Sequence, residues 1–175
     1  SFTTMPADNI TLYAKWEIKQ YTITINTVGG SPIEPITKDY NKEITQPSDP
    51  TKLGYTFDGW YTDALYTKTY TFPSNMPATD VTIYAKWNAI TYTISFEENG
   101  GTTVNNITQN YGTDISSLAV TPIRTGYTFK GWFKLNGESS GIWGEEYSFT
   151  TMPADNITLY AKWEPKQYTL SFEEN

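Results

Sequence analysis

The stretch Met152–Trp163, MPADNITLYAKW, is the main indication of the architecture, because close copies of it recur along the 175-residue chain. Met5–Trp16 repeats it letter for letter, and Met76–Trp87 reads MPATDVTIYAKW. The tryptophans that close the three copies are 71 and 76 residues apart. Recurrence at a nearly constant period predicts a tandem array of small modules, each of about 70–76 residues.

Two further blocks recur in step with the first. The GYTFDGW of Gly54–Trp60 returns as GYTFKGW at Gly126–Trp132, 72 residues later. The YTITI of Tyr21–Ile25 returns as YTISF at Tyr92–Phe96 and as YTLSF at Tyr168–Phe172. These blocks divide the chain into the C-terminal part of a preceding repeat (1–19), two complete repeats that we call repeat 1 (20–90) and repeat 2 (91–164), and the first strand of a following repeat (165–175).

Alternating apolar and polar side chains predict the first and last strands of each module. In Tyr21–Asn26 and in Val81–Trp87 the apolar residues recur at every second position, so they share one face of a strand. The segment 111–122, YGTDISSLAVTP, predicts one short helix with Thr113 or Asp114 near its N-cap. Its counterpart in repeat 1 contains two prolines, which predicts a shorter helix there or none.

The difference in length between the repeats falls in one loop. Repeat 2 has nine residues, KLNGESSGI, between Phe133 and Trp143, where repeat 1 has the four residues TDAL between Tyr61 and Tyr66. Glycine, serine and asparagine favour turns, so the insertion is predicted to be an exposed loop. Trp143 takes the place of Tyr66 in this alignment.

Composition excludes several classes of function. The net charge is −7 and the pI about 4.5, whereas binding to nucleic acid or to an anionic membrane surface requires clustered lysine and arginine. The absence of cysteine excludes disulfides and thiolate nucleophiles, and the absence of histidine removes the usual base of a catalytic triad. No apolar run approaches the roughly 18–20 residues that a membrane span needs. We predict no enzymatic activity, no cofactor and no membrane insertion by this segment.

The order of the blocks resembles the internalin-type B repeat, also called the Listeria-Bacteroides repeat. The similarity covers essentially the whole chain, in which the first-strand block, the GYTFxGW block and the MPA block ending in YAKW follow one another. The chain departs from the family pattern in the longer loop Lys134–Ile142 and at Tyr40–Lys42, where Tyr-Asn-Lys replaces a Tyr-Gly sequence.

The resemblance implies an α+β fold that is predominantly β, built from β-grasp-like (ubiquitin-like) modules. It also implies a secreted, wall-attached or membrane-anchored bacterial protein, and therefore an extracellular location. In such proteins the repeats are spacers or accessory adhesion modules. No catalytic residue carries over from the family.

Three pairs of neighbouring glutamates are the first candidate sites: Glu97-Glu98, Glu145-Glu146 and Glu173-Glu174. Adjacent side chains on a strand point to opposite faces, so such a pair does not converge on one bond as a catalytic carboxylate pair must. We predict a solvated acidic rim and no metal site. Calcium, which prefers carboxylate oxygens, remains the alternative.

The tryptophans that recur with the repeat are predicted to lie in the module cores or at module junctions: Trp16, Trp60, Trp87, Trp132 and Trp163. The alternative is stacking on sugars, for which Trp143, at the edge of the enlarged loop, is the best candidate ligand-binding residue. Lys86 and Lys162 are predicted to face solvent and to discourage edge-to-edge pairing of strands. A Lys–Asn isopeptide cross-link is the alternative for these lysines.

Two functions remain open at this point. In the first, the modules form a stalk, spacer or fibre whose length is set by the number of repeats and whose partners are the neighbouring repeats. In the second, they are adhesion modules that bind a protein or glycan through repeated aromatic or acidic surfaces, strengthened by avidity. The last-strand sequence in 1–17 and the first-strand sequence at Tyr168–Phe172 also predict head-to-tail self-association, because these two strands are neighbours in a β-grasp sheet.

Overall fold

The computed structural model describes residue 7 and residues 9–173, and this part of the chain forms two β-sheets. The first sheet contains β1 (Gln20–Asn26), β2 (Ile36–Asp39), β3 (Tyr55–Tyr61), β4 (Thr69–Tyr70) and β5 (Val81–Ala89). The second contains β6 (Thr91–Glu97), β7 (Ile107–Asn110), β8 (Tyr127–Phe133) and β9 (Ile157–Pro165). The prediction of a predominantly β protein is therefore confirmed.

The four strands that the two sheets have in common follow the same order, and repeat 1 adds the edge strand β4. The strand order is β2-β1-β5-β3-β4 in repeat 1 and β7-β6-β9-β8 in repeat 2. In each sheet the first and last strands of the repeat pair in parallel, with Ile23 opposite Val81 and Ile94 opposite Ile157. The first strand also pairs antiparallel with the strand that follows it. Equivalent residues thus occupy equivalent positions in both sheets.

The apolar face of each sheet forms the core of its repeat. The buried core residues of repeat 1 are Ile23, Ile25, Ile44, Trp60, Met76, Ile83 and Ala85. Those of repeat 2 are Ile94, Phe96, Val104, Ile107, Ile115, Trp132, Met152, Leu159 and Ala161. Complete burial of one large aliphatic side chain stabilises a fold by roughly 1.5–3 kcal/mol, so these few residues dominate the stability of each small module.

The methionine of the MPA block anchors the segment before the last strand. In repeat 1 the N–H of Met76 donates to the carbonyl of Lys42 at 2.8 Å, and the N–H of Asn41 donates to the carbonyl of Met76 at 3.0 Å. Met152 makes the same two bonds, with Thr113 at 2.8 Å and Gly112 at 3.0 Å. A buried side chain and a two-way backbone pair therefore explain why this block recurs.

The helix predicted in segment 111–122 is wrong in extent, and the described residues contain no α-helix. Only the 3-10 turn Ser116–Leu118 forms there, with the carboxylate of Asp114 accepting the N–H of Ser116 at 2.8 Å. The N–H of Ile115 donates to the carbonyl of Thr150 at 2.9 Å. Because this segment pairs with the chain before the last strand, few residues remain for a helix before Pro122.

The chain divides into two compact units whose borders differ from the repeat borders. One unit holds the chain up to Pro50 together with Gly59–Lys86, and the other holds Thr51–Asp58 together with the chain from Trp87 onward. The beginning of β3 therefore belongs, by its contacts, to the same unit as repeat 2.

Residues 9–19 and 166–173, which flank the two complete repeats, take no strand conformation. Residues 9–19 and 168–173 have exposed side chains, and Trp16 is 88% exposed. The prediction of a core or junction position is therefore wrong for Trp16; Met5 and Glu174 lie outside the described residues. Residues 1–17 contain no GYTF block, whose phenylalanine packs against the equivalent Trp87 and Trp163. Within the described chain, no helix is both long and apolar enough to cross a membrane.

Candidate functional site

Trp143, the predicted sugar-stacking residue, is half-buried in the enlarged loop of repeat 2. Its ring meets that of Phe133 edge-on, with centroids 5.7 Å apart. Gly137 packs so closely against it that a Cβ at Gly137 would lie 2.6 Å from the indole Cδ1. The indole is thus the centre of the loop's own packing, and only the remaining part of its surface is open to a ligand.

Two exposed aliphatic side chains lie in the same loop. Leu135 is 52% exposed and Ile142 is 66% exposed, and both are close in sequence to Trp143. Apolar side chains on a loop tip, next to an aromatic ring, are typical of surfaces that bind a partner. The loop thus presents two exposed aliphatic side chains beside a partly exposed indole.

Lys86 and Lys162 contact aromatic rings. The Nζ of Lys86 lies 5.2 Å from the ring centroid of Tyr61 and 3.5 Å from its hydroxyl oxygen. The Nζ of Lys162 lies 5.2 Å from the centroid of Phe133 and 5.9 Å from that of Trp143. The prediction that these lysines face solvent and protect a sheet edge is wrong, because both are half-buried and their strands are central in the sheets.

The glutamate pairs do not behave as one acidic rim. Glu98 is half-buried, and its carboxylate accepts the N–H of Val104 at 2.7 Å. The backbone carbonyl of Glu98 accepts the indole N–H of Trp163 at 2.8 Å. Glu97 is exposed, as are Glu145 and Glu146. Among the residues that the structure describes, no group of three or more acidic side chains is arranged to hold a metal ion.

The recurring tryptophans divide between core and loop support. Trp60 and Trp132 are buried, as predicted, and the indole N–H of Trp132 donates to the carbonyl of Val120 at 2.9 Å. Trp87 and Trp163 are half-buried and pack edge-on against the phenylalanine of the GYTF block. These two rings are therefore partly used for packing within their own repeat.

The resolved pKa shifts move groups away from neutral pH. Hydrogen bonds from the Thr67 backbone, with those from Lys68 and Leu65, hold the pKa of Asp63 below its ordinary value. The Ser116 backbone N–H lowers the pKa of Asp114 in the same way.

Burial raises the pKa of Tyr70 and, at the equivalent position of repeat 2, that of Tyr147. A general acid or base works best with a pKa near the working pH, so these shifts suit structural groups.

One linker residue bonds to both repeats where the last strand of repeat 1 continues into repeat 2. The N–H of Ile90 donates to the carbonyl of Gly54 at 2.9 Å, and the carbonyl of Ile90 accepts the N–H of Tyr111 at 2.8 Å. The ring of Tyr111 meets the ring of Tyr55 edge-on at 5.6 Å and covers Gly54, where a Cβ would overlap it. We call Gly54, Tyr55, Ile90 and Tyr111 the seam.

The sequence alone did not indicate the seam. Gly54 and Gly126 recur in the GYTF block, and a recurrent glycine in that position is ordinarily explained by a turn. Gly54 and Tyr111 are 57 residues apart in the sequence but in contact in the structure. A distant segment of the chain therefore approaches the glycine. The signal present in the sequence is that each repeat contains both partners of this contact: the glycine of the GYTF block and a tyrosine after the second strand.

A family model described as the Listeria-Bacteroides repeat domain matches this chain twice, over residues 21–86 and 92–162. The chain is 38% identical, over 98% of its length, to a protein of Evansella cellulosilytica described as a Gly-rich membrane protein, and covers 19% of that protein. It is 37% identical, over 73% of its length, to Internalin H of Listeria monocytogenes, and the match covers 22% of that protein. The chain therefore spans about a fifth of the length of these curated relatives.

Proposed function

Because the chain belongs to the Listeria-Bacteroides repeat family, we propose that repeats 1 and 2 are non-enzymatic stalk or spacer modules of an extracellular bacterial surface protein. The observation that supports this is the use of the repeated residues for packing. Met76 and its equivalent Met152 are 1% and 0% exposed, and Ile83 and its equivalent Leu159 are both fully buried. Residues that recur to fill a core account for the repetition without any site.

We assign each repeat, with the borders 20–90 and 91–164, to the β-grasp-like class. The strand order supports this, since the parallel central pair is flanked by an antiparallel strand on each side in repeat 2. The helix that crosses the sheet in that fold is replaced by the loop that contains the turn Ser116–Leu118. A loop suffices because Ile115 from this segment is fully buried in the core.

Adhesion is the second candidate function, and the loop around Trp143 favours it. This loop combines the exposed Leu135 and Ile142 with a partly exposed indole and the ammonium group of Lys162. The equivalent loop of repeat 1 is five residues shorter. If the protein binds a ligand through this chain, the contact is in repeat 2, and its strength grows with the number of repeats of this kind.

Head-to-tail self-association of the chain is a separate proposal. Leu12 in the last-strand sequence of residues 9–16, and Leu170 and Phe172 in the first-strand sequence, are exposed. Their equivalents Leu159, Ile94 and Phe96 are buried side by side in the second sheet. Sedimentation velocity over a range of concentrations tests this proposal, and a constant sedimentation coefficient counts against it.

The stalk and the adhesion module differ in how they respond to repeat number. We would compare this chain with one that carries two further copies of residues 91–164, by small-angle X-ray scattering and on a glycan and host-protein array. For a stalk, the maximum dimension grows in proportion to repeat number and binding does not increase. A steep gain in binding with repeat number, lost on Trp143→Ala, would establish adhesion in place of the spacer.

A further inference from the structure

We propose that the surface around Gly126 is a docking face for one turn of a following repeat in the same polypeptide. This turn comes after the second strand and carries the tyrosine equivalent to Tyr40 and Tyr111, and we call it the tyrosine turn. This docking face rests on the proposed tandem array and adds to it a specific contact that joins successive repeats. The occupied seam at Gly54 provides the template, because the same residue types recur around Gly126.

The seam shows what the occupant contributes. The Tyr111 ring covers Gly54, and the backbone of Tyr111 bonds to the linker residue Ile90. The ammonium group of Lys52 lies 4.6 Å from the centroid of Tyr55, which is the ring that Tyr111 meets edge-on. A glycine, an aromatic ring and a cation thus form one side of the contact, and a single tyrosine forms the other.

The face at Gly126 reproduces the receiving side. Gly126 has a φ of +79°, against +76° for Gly54. The N–H of Lys166 donates to the carbonyl of Gly126 at 2.8 Å, as the N–H of Ile90 does to the carbonyl of Gly54.

The guanidinium carbon of Arg124 lies 3.9 Å from the ring centroid of Tyr127, in the place of the Lys52–Tyr55 pair. A shallow groove of about 600 Å³ surrounds these residues. Apart from Gly126 itself and its two chain neighbours, no atom of the described residues lies within 4 Å of a Cβ built on Gly126.

A positive φ alone does not require a glycine in this protein. Among the described residues, four others that are not glycine have φ values between 47° and 63°: Val28, Asn41, Tyr66 and Asn99. At Gly54 the ring of Tyr111 supplies the additional reason, since any side chain would occupy the same space. The recurrence of glycine at Gly126 has the same explanation once a tyrosine of a following repeat covers it.

The complementary half of the contact is visible in repeat 1. Tyr40, the equivalent of Tyr111, is 52% exposed, whereas Tyr111 is half-buried under its contact with Gly54 and Tyr55. The carbonyl of Lys19, the equivalent of Ile90, accepts the N–H of Tyr40 at 2.8 Å. The tyrosine turn is therefore already folded in place before any glycine face covers it.

The linker bonds select a following repeat over a second molecule. In the seam one residue, Ile90, serves both repeats through its N–H and its carbonyl. Lys166 and Lys19 occupy the position that is equivalent to Ile90. The N–H of Lys166 donates to the carbonyl of Gly126, and the carbonyl of Lys19 accepts the N–H of Tyr40. Two molecules meeting at this face would place Lys19 and Lys166 in the same space, whereas a continuous chain needs only one of them.

The test compares this chain with an extended chain in which the residues from 167 on are replaced by a second copy of residues 91–166. NMR reports the contact directly, because a tyrosine ring over a glycine moves the glycine Hα resonances upfield. In the original chain we expect an upfield shift at Gly54, abolished by Tyr111→Leu, and ordinary Hα positions at Gly126. In the extended chain the Gly126 resonances move upfield as those of Gly54 do.

The matched variants Gly54→Ala and Gly126→Ala give a second measurement. Both introduce a side chain at nearly the same φ, so the backbone strain cancels in the comparison. In the original chain Gly54→Ala lowers the urea midpoint more than Gly126→Ala does, and in the extended chain the two losses become equal. The proposal is overturned if the Gly126 resonances do not move in the extended chain, or if they move with concentration in the original chain, which would indicate a second molecule. An extended chain that still lengthens by scattering while Gly126 does not shift would refute the docking face and leave the stalk intact.

Discussion

The two repeats hold the loop after the GYTFxGW strand in different ways. In repeat 1 the carboxylate of Asp63 accepts the backbone N–H groups of Leu65 at 3.0 Å, Thr67 at 3.1 Å and Lys68 at 3.0 Å. One side chain thus closes the whole turn, which continues into the short strand β4 that pairs with β3. This is a compact loop stabilised by a charged acceptor.

The longer loop of repeat 2 has separate, single bonds. The side-chain oxygen of Asn136 accepts the N–H of Glu138 at 3.1 Å, and the hydroxyl oxygen of Ser140 accepts the N–H of Ile142 at 3.2 Å. The edge strand that follows in repeat 1 is reduced here to a bridge between Phe133 and Glu146. Packing must therefore replace part of what Asp63 does in repeat 1.

Both loops nevertheless keep one aromatic pair at their base. Tyr61 and Tyr66 meet edge-on with centroids 5.6 Å apart, and the equivalent Phe133 and Trp143 meet at 5.7 Å. The comparison shows that the base of the loop is fixed by the sheet beneath it, while its tip varies in length and in polar bonding.

The cores should respond alike. Ile23 and Ile94 are both fully buried at equivalent positions of the parallel pair, so Ile23→Ala and Ile94→Ala should each lower the free energy of unfolding by about 2–5 kcal/mol. Urea unfolding followed by tryptophan fluorescence measures this loss. Thr24→Ala, an exposed position on the same strand, is the control. Unequal losses at the two isoleucines would show that the cores are not equivalent.

The aromatic pair should matter more in repeat 2. Trp143→Ala removes a half-buried indole from a loop whose polar bonds are separate and local, and we expect a loss of about 1–2 kcal/mol. Tyr66→Ala should cost less, because the Asp63 bonds remain. Leu65→Ala, at an exposed position, should have no effect. Chemical denaturation of each variant measures the difference, and a larger loss at Tyr66 than at Trp143 would contradict this account of the loops.

How much of this the sequence predicts depends on whether a residue acts within its own strand or across the fold. The alternation in Tyr21–Asn26 and Val81–Trp87 gives the strands and their buried faces, since a side chain's face depends only on its position in the strand. The helix in segment 111–122 failed because local propensity was outweighed by a bond from Ile115 to a distant carbonyl. The contact of Gly54 with Tyr111 does not follow from the sequence for the same reason, because the two residues are distant along the chain.

The lysine misassignment has a related origin. Lys86 and Lys162 alternate with apolar residues, which predicts that they lie on the outward face of the strand and therefore face solvent. The neighbouring strand presents Tyr61 and Phe133 on that face, so the ammonium groups lie over rings. Sequence gives the face of a strand correctly but not what the next strand presents beside it.

Replacement of these lysines should have a small effect. Lys162→Met keeps the aliphatic stem and removes a charge that lies near two rings, for an expected loss of about 0.5–1 kcal/mol. Lys86→Met removes a charge that lies over the Tyr61 ring and should cost a comparable amount. Lys38→Met, on the edge strand β2, is the control with no expected change. Equal behaviour of all three variants in urea unfolding would show that the ring contacts contribute nothing.

The smallest effect should be confined to the loop of repeat 1 and to acidic pH. The Thr67 and neighbouring hydrogen bonds hold the pKa of Asp63 below its ordinary value of 3.8, so the ionised form stabilises the folded loop. A carboxyl group with a lowered pKa contributes stability above its unfolded pKa and loses it as the pH falls through its folded pKa. We therefore expect the amide resonances of Thr67 and Lys68 to move, and their hydrogen exchange to be less protected, only below the ordinary pKa.

The loop of repeat 2 supplies the internal control, because the amide of Ile142 donates to the neutral hydroxyl of Ser140 and has no reason to follow an acid titration. Asp63→Asn should make the Thr67 amide insensitive to the same pH range while leaving the core of repeat 1 intact. If instead Ile142 titrates together with Thr67, acid acts on both repeats as a whole. The difference in how the two loops are held would then have no consequence for their stability.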